Sequence, residues 1–245
     1  MKSVILALPT VLFLLFSALT GEAQVVVENQ LQAVEVLSIE TSGQVIRLTV
    51  RNVSPRNIMA IDFATSENST LTMDSASSAT DDVLLLSDAS KVINVDVVPG
   101  QPTSKIRVLA VVFEDGTGEG VPARLDLIKN IRLGQRDQMR RIASHWSSLL
   151  STAQTGNEQT LSQLLTAILS DVSALPETPA GIARTNRNYA AQQIGLSQAK
   201  NEAVRNIENL QQRLATGSSK EVLEFLIRPF KDQHDKVLAK LEKGG

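Results

Sequence analysis

Three carboxylates lie on a glycine-rich segment near the middle of the chain, and this segment is the first place to look for ion-binding chemistry. Segment 114–120 has the sequence EDGTGEG, and its acids are Glu114, Asp115 and Glu119. Ca²⁺ takes about six to eight oxygen ligands, but the spacing differs from the calcium loop that ends on a glutamate. Glycines supply positive φ in turns, so a strand-exit turn is favoured over a metal site. We expect no other metal and no cofactor.

The two histidines, His145 and His234, offer no recognisable catalytic arrangement. Neither belongs to an HExxH motif, and the chain contains no GxSxG motif. We therefore predict no enzymatic activity and interpret both histidines as solvated or capping residues. The alternative is an exported hydrolase-like enzyme whose site is dispersed along the sequence and is assembled only by folding.

Charge is divided unevenly along the chain. Residues 24–121 hold 6 Lys and Arg against 13 Asp and Glu, whereas residues 122–245 hold 17 against 12. Four cations recur along one face of the first predicted helix: Lys129, Arg132, Arg136 and Arg140. This stripe suits an anionic partner in the envelope, such as lipid headgroups, a cell-wall polymer or an acidic protein. The favoured interpretation is that the stripe is solvated or docks on the acidic first half of the same chain. Nucleic acid is a poor candidate, because only 3% of the residues are aromatic.

The first 23 residues have the layout of a cleavable export signal. Lys2 precedes a long apolar run, and Gly21 and Ala23 form a small-x-small exit before Gln24. No basic cluster follows that would hold the run in a membrane. We expect export to the periplasm or outside the cell, with no membrane span left after cleavage. The absence of cysteine means that packing alone stabilises the mature chain.

Apolar residues alternate or form short blocks in the first half of the mature chain. The pattern predicts strands at about 34–39, 46–50, 58–63, 71–73, 83–86, 92–98 and 106–113. No helical segment separates them, so an antiparallel, immunoglobulin-like β-sandwich over 24–121 is indicated.

The apolar period changes to three and four residues after Gly120. We predict an antiparallel helical bundle over 122–245, built from three or four long helices. The third helix is predicted over 181–216, about 55 Å long. Its seven-residue spacing forms a seam from 182 to 214 that includes Leu196, Ala203 and Leu210. This coiled-coil-like seam predicts a homo-oligomer if it is exposed, and it excludes one if a single chain buries it. The fold class is therefore α+β.

Four short segments resemble uncharacterised exported bacterial proteins that carry an immunoglobulin-like or fibronectin-III-like sandwich. They are NVSPRNI at 52–58, VDVVPGQ at 95–101, VVFEDGTGEG at 111–120 and RLGQRDQMRRI at 132–142. The resemblance covers 33–142 and implies a sandwich joined to a helix, with no catalytic residues to carry over. The acidic residue expected after the last glycine is replaced here by Val121, which weakens the idea of a metal site.

The leading functional prediction is an exported envelope protein that binds or scaffolds a partner. The sandwich would present loops or an edge strand, while the helices would pack or oligomerise. A structural or adhesive component is the remaining alternative beside the dispersed-site enzyme.

Overall fold

The computed structural model describes residues 25–42, 45–65, 69–78, 81–96 and 105–243. Over these residues the protein is mixed α+β, with two sheets and four α-helices. The predicted export signal and residues 97–101 of the VDVVPGQ segment lie outside the described residues. Within the described part, no helix combines the length and apolar character that crossing a bilayer demands.

The eight strands form one sheet of five and one of three. They are β1 (Val26–Asn29), β2 (Val34–Ser42), β3 (Val45–Asn52), β4 (Ile58–Ala64), β5 (Thr70–Asp74), β6 (Ser90–Asp96), β7 (Lys105–Phe113) and β8 (Gly118–Gly120). The larger sheet has the order β1-β7-β4-β5, with β8 also paired to β7, and the smaller has the order β2-β3-β6. Only the β1–β7 pairing is parallel among these described strands.

The strand pattern follows from alternation in the sequence. In β3, Ile46, Leu48 and Val50 are buried while Arg47 between them is exposed, as expected for a half-buried strand. One hydrophobic core draws on both sheets, including Phe63 of β4 and Ile93 of β6.

The structure differs from the strand predictions in three places. Segment 83–86 forms only an isolated bridge, Leu85 with Ile58, because the chain turns again at 87–88. Strand β1 was not predicted, since its valines run together without alternation. Strand β8 was not predicted either, since it consists of two glycines around Glu119.

A buried ion pair attaches the first turn of the first helix to β4. Asp62 is 0% exposed, and both of its carboxylate oxygens accept hydrogen bonds from the Arg124 guanidinium, at 2.6 and 2.8 Å. The Thr72 hydroxyl of β5 donates a third, at 2.6 Å. Hydrogen bonding to Asp62 raises the pKa of Arg124 above its ordinary value. Two parallel N–H···O bonds fix orientation as well as distance.

The four helices are α1 (Pro122–Thr155), α2 (Glu158–Ala174), α3 (Tyr189–Ala215) and α4 (Lys220–Lys243). The chain divides into two compact units. The first takes residues up to Asp74 together with Val83–Leu125, and the second takes Ser75–Asp82 together with the chain from Asp126 onward. The division therefore falls after Leu125, and it assigns Ser75–Asp82, the first part of the β5–β6 connection, to the helical unit.

Helix α3 begins later than its seven-residue repeat predicts. Its 27 residues span about 40 Å. The Asn186 side chain accepts from the Asn188 N–H, and such local bonds compete with helix formation. The seam is occupied within one chain, because Leu196, Ala203 and Leu210 are all buried. These three residues therefore offer no exposed surface for the predicted homo-oligomer contact.

Segment Ser75–Asp82 is held by α4. The Lys240 ammonium donates to the carbonyl oxygens of Ser78, at 2.8 Å, and Asp81, at 2.5 Å. The Asp82 carboxylate pairs with Lys236 at 2.9 Å, and hydrogen bonding to Lys236 lowers the pKa of Asp82.

Two glycines let α1 and α3 cross at close range. A methyl group on Gly134 would lie 2.1 Å from the Gln192 carbonyl oxygen, and one on Gly195 would lie 2.0 Å from the Ile131 carbonyl oxygen. Side chains bond across the same crossing, with Gln192 donating to Asn130 at 2.9 Å. Gly134, a weak point for an isolated helix, is therefore required by packing.

The first prediction concerns Gly134→Ala. Alanine favours helix by about 1 kcal/mol, but overpacking against backbone costs about 1–3 kcal/mol and α1 and α3 must move apart. We expect a lower free energy of unfolding by urea denaturation. Ser148→Ala, at an exposed position of the same helix, is the control and should change little. A stability gain in Gly134→Ala would contradict the close crossing.

Candidate functional site

The three carboxylates of segment 114–120 do not converge on one point. Glu114 accepts from the Asn57 amide at 2.8 Å, and Asp115 accepts from the Thr117 backbone N–H at 2.9 Å and from its hydroxyl at 2.6 Å. Those hydrogen bonds from Thr117 lower the pKa of Asp115. Across the described residues, no group of three His, Cys, Asp or Glu side chains is arranged to hold a metal ion.

Glu119, the third acid, faces a different part of the chain. Its carboxylate accepts from the backbone N–H groups of Gln32, in a short contact, and Ala33, at 3.1 Å. Glu119 therefore secures the connection between β1 and β2.

Loops 52–57, 84–89 and 114–117 are joined by hydrogen bonds, and we call them the loop cluster. The Asn57 side chain accepts from the Ser87 N–H at 3.1 Å and donates to Glu114, so it contacts both other loops. The Ser87 hydroxyl donates to the Ser54 carbonyl at 2.7 Å. Two of the segments that carried the family resemblance, NVSPRNI and VVFEDGTGEG, meet here.

Asn52 organises the first of these loops from inside. It is 0% exposed. Its amide donates to the carbonyls of Arg56, at 2.7 Å, and Leu85, at 3.3 Å. Its oxygen accepts from the N–H and hydroxyl of Ser54. A buried side chain with all these groups engaged holds a loop in one conformation.

Arg56 connects the first and third loops at the surface. Its guanidinium lies 3.6 Å from the centroid of the Phe113 ring, in cation–π geometry. It donates to the Thr117 hydroxyl at 2.7 Å and lies 3.5 Å from the Asp115 carboxylate. Thus noncovalent contacts hold the loops together before any partner is present.

The outward side of the loop cluster exposes apolar groups. Val53 is 43% exposed and Leu86 is 57% exposed. Beside them Asp88 adopts a positive φ of 59° and pairs with Arg51 at 3.4 Å. Rigid loops with exposed apolar side chains are suited to binding. Sequence reasoning missed Asn52, Val53 and Leu86, although the turn residues of NVSPRN marked their neighbourhood.

The basic stripe of α1 is not a continuous exposed surface. Lys129 and Arg140 are exposed, Arg136 is half-buried and Arg132 is buried. Arg140 pairs with Glu242 at 2.9 Å, and Arg136 lies 3.6 Å from Asp137. The four cations share one helix but not one environment, so the stripe offers an anionic partner few free charges.

The two histidines differ in their surroundings. His145 is half-buried, whereas His234 is buried. Of the two interpretations, solvated or capping, the first is therefore wrong for His234. His234 Nε2 lies 2.9 Å from the Met139 carbonyl oxygen. A carbonyl only accepts, so that nitrogen carries the proton. Desolvation lowers the pKa of His234, which keeps the ring neutral at pH 7.

His234 and Trp146 line a cavity of about 30 Å³ together with Glu202 and Phe230. That space accommodates about one or two water molecules. It is too small for an organic substrate, so this cavity does not support the dispersed-site enzyme.

Comparison of the chain with protein-family models, curated protein sequences and solved structures finds no match.

The second prediction concerns Asn52→Ala. The substitution removes the partner of the Ser54 N–H, whereas the Leu85 carbonyl still accepts from the Ile58 N–H at 2.9 Å. One orphaned buried group costs about 1–3 kcal/mol, so we expect the free energy of unfolding to fall by about that amount in urea denaturation followed by circular dichroism. Asn94→Ala, at an exposed asparagine of β6, is the control and should stay within about 0.5 kcal/mol of wild type. Equal losses in both variants would contradict the role given to Asn52.

The third prediction is a pH dependence set by His234. Because its pKa is below the ordinary 6.5, the unfolded chain binds more protons in this range. Stability is full above pH 6.5 and falls as the pH is lowered below it, by up to about 1.4 kcal/mol per pH unit. Urea midpoints between about pH 7.5 and about pH 5 should show this loss. The reporter is the fluorescence of Trp146, the only tryptophan, whose ring lies 6.5 Å from His234.

His234→Gln keeps a donor for Met139 but does not titrate, so it should flatten this part of the profile. His145→Gln should leave the profile unchanged. If both variants keep the wild-type slope, another group controls the acid sensitivity.

Proposed function

We propose that this chain is an exported envelope protein that binds a protein partner through the loop cluster, with the helical unit serving as scaffold. The observation that carries the proposal is that the hydrogen-bonded loop cluster exposes Val53 and Leu86. Pre-organised loops bind without a large ordering cost.

The proposal includes an immunoglobulin-like sandwich for the first unit. Its support is the strand order, with β2-β3-β6 in one sheet and β8-β7-β4-β5 in the other. If β1 is left out of the count, β2, β3 and β6 are the first, second and fifth strands. In an immunoglobulin-like sandwich the first, second and fifth strands likewise share one sheet, and the loops lie at the two ends of the sandwich. The core to which both sheets contribute also fits this architecture.

An antiparallel bundle is proposed for the helices. Trp146, Leu165, Ile207 and Leu223, one from each helix, belong to a single hydrophobic core. Helices α3 and α4 are joined by residues 216–219, and a connection this short favours antiparallel neighbours.

A protein partner suits the loop cluster better than a polyanion. Arg51 and Arg56, the arginines of this surface, already face Asp88 and Asp115. Exposed apolar side chains beside internally paired charges provide contact area rather than net attraction for phosphate or sulfate groups. The periplasm or the exterior of the cell is the proposed location, on the strength of the predicted export signal.

The fourth prediction tests the loop cluster by capture from envelope extract of the source organism. The immobilised mature chain should retain a defined protein that a Val53→Asp/Leu86→Asp variant retains at least about tenfold more weakly, since buried charge in an apolar contact costs more than about 1.4 kcal/mol. Mass spectrometry identifies the retained protein.

Val92→Asp is the matched control, because Val92 is 55% exposed but lies on β6. It should bind like wild type, and all variants should share one urea midpoint. A partner lost only with Val92→Asp would move the binding surface to the sheet. Turnover of an envelope substrate by the purified chain would favour the dispersed-site enzyme instead.

A further inference from the structure

Two short segments cover the outer edge of β7. Strand β4 pairs along one side of it. On the other side, β8 pairs with 110–112 and β1 pairs with 105–108. Strand β8 is only three residues long because the helix α1 begins at Pro122. The N-terminal strand therefore occupies the part of the edge that a longer β8 would cover.

The contacts that hold strand β1 against β7 are of moderate strength. None of its four side chains is fully buried, and Val26 is 41% exposed. Its charged contact, Glu28 with Lys105 at 2.6 Å, lies between half-exposed side chains and contributes little. Parallel pairing is also slightly weaker per residue than antiparallel pairing.

The edge beneath β1 cannot be left open at low cost. Ile106 and Val108 of β7 are buried in the core, and Val27 and the adjoining Val25 pack against that core. An open β7 edge would expose unpaired backbone groups next to apolar side chains, which is a template for another strand.

The connection from β1 to β2 is a short hinge, residues 30–33. The Glu119 carboxylate accepts from the N–H groups of Gln32 and Ala33. The Asn29 side chain accepts from the Leu31 N–H at 3.0 Å and donates to the Val34 carbonyl. These bonds keep the hinge folded back, so that β1 returns to β7 of its own chain.

We propose that β1 is exchanged between copies of this chain, with the Val26–Asn29 segment of one copy completing the β7 edge of the next. A second copy is the occupant because its own N-terminal segment carries the side chains and register that the edge accepts. Exchange preserves each β1–β7 contact and opens only the hinge. After the expected cleavage at Ala23, one residue precedes Val25, so the exchanged strand has a free end.

The fifth prediction uses the absence of cysteine from the chain. Val26 and Lys105 are register partners, and adjacent strands lie about 4.8 Å apart, which suits a disulfide. Val26→Cys and Lys105→Cys chains are mixed in urea, refolded together and oxidised. We expect a heterodimer linked by one disulfide. It should exceed the yield from Val26→Cys with Val92→Cys by roughly 100-fold, because paired strands raise the effective thiol concentration.

Three further variants make either result informative. The Val26→Cys/Lys105→Cys double variant must form its disulfide within a monomer, which shows that the pair can be bridged. Glu119→Gln should raise the linked heterodimer several-fold by loosening the hinge, whereas Glu40→Gln, at an exposed glutamate of β2, should not. If the in-register pair links no better than the Val92→Cys control although the double variant bridges, the exchange is overturned.

Discussion

A carboxylate buried in an apolar strand determines where the helical part of the chain begins. Asp62 stands alone among the apolar residues of β4 and is compensated by Arg124 and Thr72. Removing one partner of a buried pair costs about 3–5 kcal/mol, because the other charge is left without compensation. Arg124 therefore stays beside β4, and α1 starts two residues before it. This early start shortens β8 and makes β7 available to the N-terminal strand.

In both units, other polar side chains likewise hold parts of the chain in place by hydrogen bonds. Asn52 fixes a loop, Glu119 fixes the hinge, and Gln135 bonds to Gln198 across the α1–α3 crossing at 2.9 Å. In each case a polar side chain is engaged in hydrogen bonds within the chain. At the loop cluster, exposed apolar side chains are available to a partner, which is why binding is proposed there.

The sequence predicted the mixed class, three or four helices and the alternating strands, because burial on one face leaves a visible period. It could not give the start of α3, since Asn186 forms side-chain bonds that the seven-residue repeat does not reveal. The buried ion pair left one signal in the sequence, because Asp62 is a single acid inside an apolar run. Its partner Arg124 could not be identified in the same way, since it lies 62 residues away. Val53 and Leu86 could not be found from the sequence, because their exposure depends on which loops meet.

The attachment of Ser75–Asp82 to α4 also constrains the order in which the chain can fold. Ser78 and Lys240 are separated by 162 positions. During synthesis from the N-terminal end, this segment emerges long before the lysine that anchors it. Until then its carbonyl groups must be satisfied by water. Folding of the helical unit is therefore completed only after almost all of the chain has been made, and a chain that stops before α4 would leave this segment unanchored.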